Sequence, residues 1–228
     1  MVQAEILDTV RQTPYGSSTP KSDLVVTEKE LSSIELSLER RVEHWSRHLV
    51  VSPYTEKEHL LDLDTLDSEN QLLAEALVHF RCLRDDYATS PYLETFNWPE
   101  VIDRVRELAL ARHHSWKETS FYIVAFRSQI QGSTVYADLG LLDKAAHAEA
   151  TASGGFLKYW FGSPNHELRN LATCIWRSRE DAKKGGVGPA HRRAAGATRD
   201  LYSFWRIDRH RLTIRDNVSS WDIGEWVD

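Results

Sequence analysis

Between residues 120 and 215 the apolar pattern switches between strand-like and helix-like periods in the order strand, helix, strand, strand, helix, strand. No other stretch of the chain limits the fold so tightly. Residues 120–130 (SFYIVAFRSQI) alternate as a strand. Residues 141–153 read as a helix closed by Gly154 and Gly155, and residues 155–161 and 171–177 as two further strands. Ser178 caps a short helix that ends at Gly185 and Gly186, and Pro189 opens another through Ala194, Ala197 and Leu201. A last strand runs from Phe204 to Ile214. This order predicts an α+β, ferredoxin-like βαββαβ unit of the α+β barrel type, with room for a small-molecule pocket between sheet and helices. Such a scaffold locates chemistry without choosing it.

Upstream, residues 1–24 carry Pro14, Gly16 and Pro20 with little periodicity, and are expected to form a flexible arm. Residues 25–115 are expected to be a helical extension packed on the sheet, and residues 116–228 the α+β domain. Thr27 and Glu30 form a capping box before Leu31, Ile34, Leu38, Val42, Trp45 and Leu49, which recur at helical spacing. Ser68 and Gln71 repeat the box before Leu72, Leu73, Ala76, Leu77, Phe80 and Leu83. Pro99 starts a third helix through Val101, Ile102, Val105 and Leu108. Trp221 and Trp226 anchor a C-terminal tail as packing residues.

Composition narrows the function. The 228 residues are 41% hydrophobic, enough for a packed core, and the net charge of -6 with dispersed Lys and Arg gives no footprint for nucleic acid. No apolar run approaches the roughly 20 residues of a membrane span, and the first residues lack a signal-peptide pattern, so a cytoplasmic protein is expected. Cys82 and Cys174 each sit inside an apolar pattern and read as free thiols. Eight tryptophans, five of them from Trp160 onward, imply a heavy aromatic core or an aromatic-walled cavity.

Three side chains are candidate catalytic groups. Glu149 lies among small apolar residues of its helix; there it serves either as a carboxyl with raised pKa or as a helix-capping or salt-bridged glutamate, with Lys158 as partner. His147 titrates near neutrality when unperturbed and suits proton transfer, or is a surface histidine. Alternation places Phe156, Lys158 and Trp160 on one face of their strand and Leu157, Tyr159 and Phe161 on the other. Tyr122, Phe126, Tyr159, Trp160, Trp176 and Trp205 are either ligand walls or core. His191, in the first turn of its helix, sits where free amides hold an oxyanion. His113 and His114 are adjacent and cannot serve one metal from a helix, so no metal site is expected. The residues after the first strand, Gly132 to Asp138, are long enough for a flap.

The segments FYIVAFRSQI, LLDKAAHAEATASGGFLKYWFG and RNLATCIWRSREDA, with GPAHRRA after them, resemble an uncharacterised, mainly fungal protein family over residues 60–227. The family supplies no catalytic residues to carry over. Its element order is similar to the dimeric α+β barrel superfamily, which includes antibiotic-biosynthesis monooxygenases, polyketide cyclases and some haem enzymes. With no nucleotide or flavin fingerprint in the chain, the expectation is a cofactor-independent tailoring enzyme of secondary metabolism. It would cyclise or isomerise an apolar polyketide or terpenoid, a Diels-Alder-type closure included. The superfamily resemblance implies the alternative of a cofactor-independent monooxygenase acting on a phenol or anthrone, and a non-catalytic binding protein is a third reading. Either a homodimer or a monomer whose N-terminal helices replace the partner is expected.

Overall fold

The computed structural model describes residues 47–227. The expected arm over residues 1–24, and the expected helix from Leu31 as far as residue 46, lie outside the described residues. Leu49, which spacing assigned to that helix, instead lies in β1 (His48–Val50), paired antiparallel with β2 (Leu60–Asp62).

Helix α1 (Ser68–Ala76) is capped by Asp67, one residue earlier than the expected box: its carboxylate accepts the Asn70 amide at 3.1 Å. Gln71 reaches back to the carbonyls of Leu63 and Leu66 at 2.9 and 3.0 Å. The helix ends at Ala76, followed by one tight turn, so Phe80 and Leu83 leave the helical stripe; Phe80 still stacks on Phe96 at 4.4 Å between ring centroids. A single turn, α2 (Tyr92–Thr95), precedes α3 (Trp98–Ala111), which has proline in its first turn and buries Trp98, Val101, Ile102, Val105 and Ala109 on one face.

The rest of the chain runs β3 (Thr119–Ile130), α4 (Tyr136–Ser153), β4 (Phe156–Phe161), β5 (Arg169–Trp176), α5 (Arg179–Gly185), α6 (Pro189–Leu201), β6 (Tyr202–Ile214) and β7 (Trp221–Glu225). These strands form one five-stranded sheet in the order β4-β5-β3-β6-β7, every neighbouring pair antiparallel. The first four strands with their crossover helices make the ferredoxin-like βαββαβ order. β7 turns the expected tail into a fifth strand. Its tryptophans do pack, Trp221 against one face of the sheet and Trp226 against the other. Helix α4 begins five residues earlier than its apolar pattern indicated, and Gly132 to Val135 form a turn tied to the Leu201 carbonyl through Gln131 N and Thr134 Oγ1. Gly154 and Gly155 adopt φ of 86° and 74° as the chain leaves α4 for β4, a conformation that glycine takes without the Cβ penalty.

The sheet carries a packed core on each face. On one, Phe121, Ile123, Leu171, Ile175, Leu212 and Ile214 pack with Leu72, Leu73, Trp98, Ile102 and Val105 of α1 and α3 in a single core. Each fully buried side chain of this size contributes roughly 1.5–3 kcal/mol of transfer free energy. On the other face, Tyr122, Val124, Phe156, Cys174 and Trp176 meet Ala150 of α4 and Ala182 of α5. Arg127 fastens the helical layer to the sheet. Its guanidinium donates to Asp208 at 3.0 Å, to the Ala88 carbonyl at 2.8 Å and to the Ser90 carbonyl at 2.7 Å. Among the described residues no helix is long and apolar enough to cross a membrane.

Candidate functional site

His147 and Ala150 are the buried residues of α4, so of the two readings of His147 the surface histidine falls and the ring points inward. It is 4% exposed, and its Nδ1 lies 2.9 Å from Nδ1 of His59, itself 1% exposed. Two imidazoles joined in this way cannot both be protonated at Nδ1; one donates and the other accepts. Burial, followed by the nearby His59, holds the His147 pKa down at about 3, so its neutral form is the native one. Among the described residues its buried Nε2 has no hydrogen-bond partner. Phe156, Tyr159 and Tyr54 enclose the ring, with centroids at 5.1, 5.5 and 5.2 Å.

One turn earlier on α4, Asp143 completes the cluster. The Tyr54 hydroxyl donates to one carboxylate oxygen at 2.6 Å and the Tyr159 hydroxyl to the other at 2.5 Å. Burial pushes the Asp143 pKa up, against the two hydroxyl bonds that pull it down. Both phenols are held well above their ordinary value, by burial first and by the carboxylate they bond. Lys144 pairs with Glu56 at the rim and lies 5.7 Å from the Tyr54 ring. The arrangement therefore offers a carboxyl of raised basicity, two hydroxyl donors and a hydrogen-bonded histidine pair within one patch between α4 and the edge of the sheet.

Next to it the helices leave part of the sheet uncovered. Phe126, Ala172 and Ile207 lie side by side across β5, β3 and β6, yet each keeps some exposed surface. Trp205, 39% exposed, packs against Phe126 and Tyr202 at 5.5 and 5.0 Å. These rings form a partly exposed apolar patch. Two surface clefts of about 200 and 180 Å³ lie elsewhere, the first bordered by Leu49, Val78 and Leu108 and the second by Gln71, Arg112 and His114.

The other candidates from the sequence do not join this cluster. Glu149 lies on another side of α4, where it accepts from the amides of Ala190 and His191 at 2.8 and 3.2 Å and from His191 Nδ1 at 2.9 Å. Burial favours its neutral form, but those donors outweigh burial and the pKa falls, so of its two expected readings the capping, salt-bridged glutamate holds and the raised-pKa acid does not. The α6 amides near His191 do hold an oxyanion, and it is the carboxylate of Glu149 from the same chain. A Cβ at Gly188 would collide with that carboxylate.

Lys158 is not the partner of Glu149. A bulge between Phe156 and Lys158 breaks the alternation, so that Phe156 and Tyr159 share one core and Leu157 and Trp160 the other. The bulge sets Lys158 opposite Ile175, on the side of the sheet that α1 and α3 cover, and burial alone pulls its ammonium down to about 8. Trp160 packs against Tyr87 and Phe96 on that side, away from His147. Tyr122 meets Trp226, while Trp176 meets Phe156 and donates Nε1 to Cys174 Sγ at 3.0 Å, both as core residues. Cys174 is buried with its thiol pushed up to about 12, and Cys82 is half-buried. Among the described residues no group of three His, Cys, Asp or Glu side chains is placed to hold a metal ion.

Tyr54, His59 and Asp143 were missed from sequence. Asp143 had a usable signal, one helical turn from His147. Tyr54 and His59 come from an aperiodic stretch and had none.

A carboxyl and two tyrosines around a buried histidine pair, beneath the first crossover helix of a ferredoxin-like sheet, define the class: an α+β protein with a polar site built into one edge of that sheet. The chain belongs to the PB2B2.08-like family, whose model matches residues 50–225. It is 40% identical over 178 residues to UPF0643 protein PB2B2.08 of Schizosaccharomyces pombe, covering 75% of this chain and 80% of that protein. Among solved structures it is similar to SnoaB, a cofactor-independent oxygenase from Streptomyces nogalater, at 13% identity and a TM-score of 0.34, over 40% of this chain and 90% of that one. It is also similar to a dimeric ferredoxin-like protein of unknown function from Thermobifida fusca, at 10% identity and a TM-score of 0.33, over 42% of this chain and 97% of the other. Structural likeness at this level carries no argument about activity.

Proposed function

We propose that the protein is a cofactor-independent enzyme that moves a proton on an apolar small molecule and so isomerises or cyclises it. A polyketide or terpenoid with an enolisable carbonyl fits the reading. The observation that carries it is Asp143, a carboxyl of raised pKa bonded at 2.6 and 2.5 Å to the hydroxyls of Tyr54 and Tyr159 beside the His59–His147 pair. In this reading the substrate lies along Phe126, Tyr202 and Trp205 and takes over one tyrosyl hydroxyl through its carbonyl oxygen. Asp143 removes the acidic C–H proton, the electron pair moves to that oxygen, and the hydroxyl stabilises the developing charge. The enol so formed either takes the proton back at another carbon or closes a ring on an electrophilic carbon. The hydrogen-bonded histidine pair is suited to relay the proton, and the aromatic floor holds a flexible chain in a reactive conformer.

The test compares metabolites of the native producer with and without the gene, then incubates the compound that accumulates with purified protein. A product of identical mass supports the proposal, and a gain of oxygen with dependence on O₂ moves the assignment to a monooxygenase. Asp143→Asn should lower turnover by about 10²–10⁴-fold, the usual contribution of a general acid or base. Unchanged turnover in that variant, with the far-ultraviolet spectrum intact, would sink the assignment.

A further inference from the structure

Strand β6 runs over thirteen residues, but β7 pairs only with its last part, His210 to Ile214. Among the described residues the outer edge from Ser203 to Asp208 has no strand partner. Such an edge presents N–H and C=O groups ready to accept another strand. One bond fixes their direction: Trp226 N donates to Arg209 O at 2.9 Å, so the Arg209 backbone faces away from β3. By the two-residue period, the backbone groups of Ile207 and Trp205 face outward as well. The side chains of this edge also leave aromatic surface in water, with Phe204 40% and Trp205 39% exposed on opposite faces of the sheet.

We infer that a second copy of this chain pairs antiparallel with the edge about a two-fold axis at Trp205, joining two five-stranded sheets into one. A two-fold contact requires the segment to complement its own reversal. With the axis at Trp205, that ring meets Trp205 of the second copy, Phe204 meets Arg206 and Ser203 meets Ile207. The Phe204–Arg206 pairs are cation–π contacts made twice by symmetry. Arg206 is already positioned for this by Asp208, which accepts it at 2.9 Å and the buried Arg127 at 3.0 Å. An axis two residues later, at Ile207, would drive the second copy into Trp226 and β7. Trp205 and Ile207 carry the outward backbone groups, so pairing centred on Trp205 uses them in register. The contact leaves the sheet face beneath α1 and α3 covered by the chain itself.

Light scattering after size exclusion over a concentration series reads the assembly. The expected result is a dimer whose Kd rises at least about tenfold in Trp205→Lys, because two ammonium groups then face each other across the axis. Trp205→Cys should form an interchain disulfide under mild oxidation, since directly opposed Cα atoms of a hydrogen-bonded pair lie about 5.5 Å apart, within disulfide reach. Leu110→Cys, exposed on α3 towards the far end of β6, should not. A monomer at every concentration, a dimer unmoved by Trp205→Lys, or cross-linking at Trp205→Cys no greater than at Leu110→Cys would each overturn the inference. If Trp205→Lys does not fold, the cross-linking comparison decides alone.

Discussion

Lowering the pH from 7 to 5 should weaken the fold through His147. In the unfolded chain this imidazole takes up a proton below its ordinary value of 6.5; in the native state burial and His59 hold it neutral down to about 3. The unfolded state therefore binds more protons across that window, and stability falls as the pH falls. The contribution is fully present above about pH 6.5 and lost progressively toward pH 3. At 1.36 kcal/mol per pKa unit the ceiling is about 5 kcal/mol, of which about 2 kcal/mol is gone by pH 5. Other buried groups add to the slope with their own signs. His210, also depressed by burial, acts in the same direction, whereas Asp143, raised by burial, stabilises the fold as pH falls. The quantity that isolates His147 is a difference between proteins. Urea unfolding of the native protein and of His147→Phe at both pH values supplies it. The variant keeps a ring against Tyr54 and Phe156 but strands the His59 Nδ1, so it should be less stable at pH 7 by about 1–3 kcal/mol. Its further loss on going to pH 5 should be smaller than that of the native protein by about 2 kcal/mol. Equal losses in the two proteins would refute the account.

Two further substitutions test how the site is mounted. Arg127→Leu strips the carbonyls of Ala88 and Ser90 of their buried donor and leaves Asp208 with Arg206 alone, and should cost about 1–3 kcal/mol by chemical denaturation, the usual penalty for stranding buried acceptors. Glu149→Ala removes the carboxylate that caps α6 and should cost about 0.5–2 kcal/mol. Because the Glu149 pKa is lowered in the fold, that loss should be present at pH 7 and shrink as the pH falls through the ordinary glutamate range.

The periodicity of residues 120–215 was enough to order the ferredoxin-like strands and helices, because alternating and near-fourfold apolar patterns are local consequences of strand and helix geometry. Helix α3 and the Gly154–Gly155 turn were legible for the same reason, each resting on proline or glycine chemistry within a few residues. His147 was legible as a chemical group, but not as half of a buried pair. Its partner His59 is 88 residues away in a segment without a period, and only packing brings the two nitrogens to 2.9 Å. Tertiary structure likewise chose between the two readings of Glu149, because the amides of α6 arrive from 41 and 42 residues downstream to outweigh its burial and lower its pKa. A bulge at Lys158 put that side chain on the other side of the sheet from His147, and a bulge depends on how two strands pair, which neither strand encodes alone. The sequence by itself determined which residues alternate, cap and turn. Where Asp143, Tyr54 and Tyr159 meet was decided by the docking of α4 on the sheet, since hydrogen bonds across such distances exist only once the chain has closed around them.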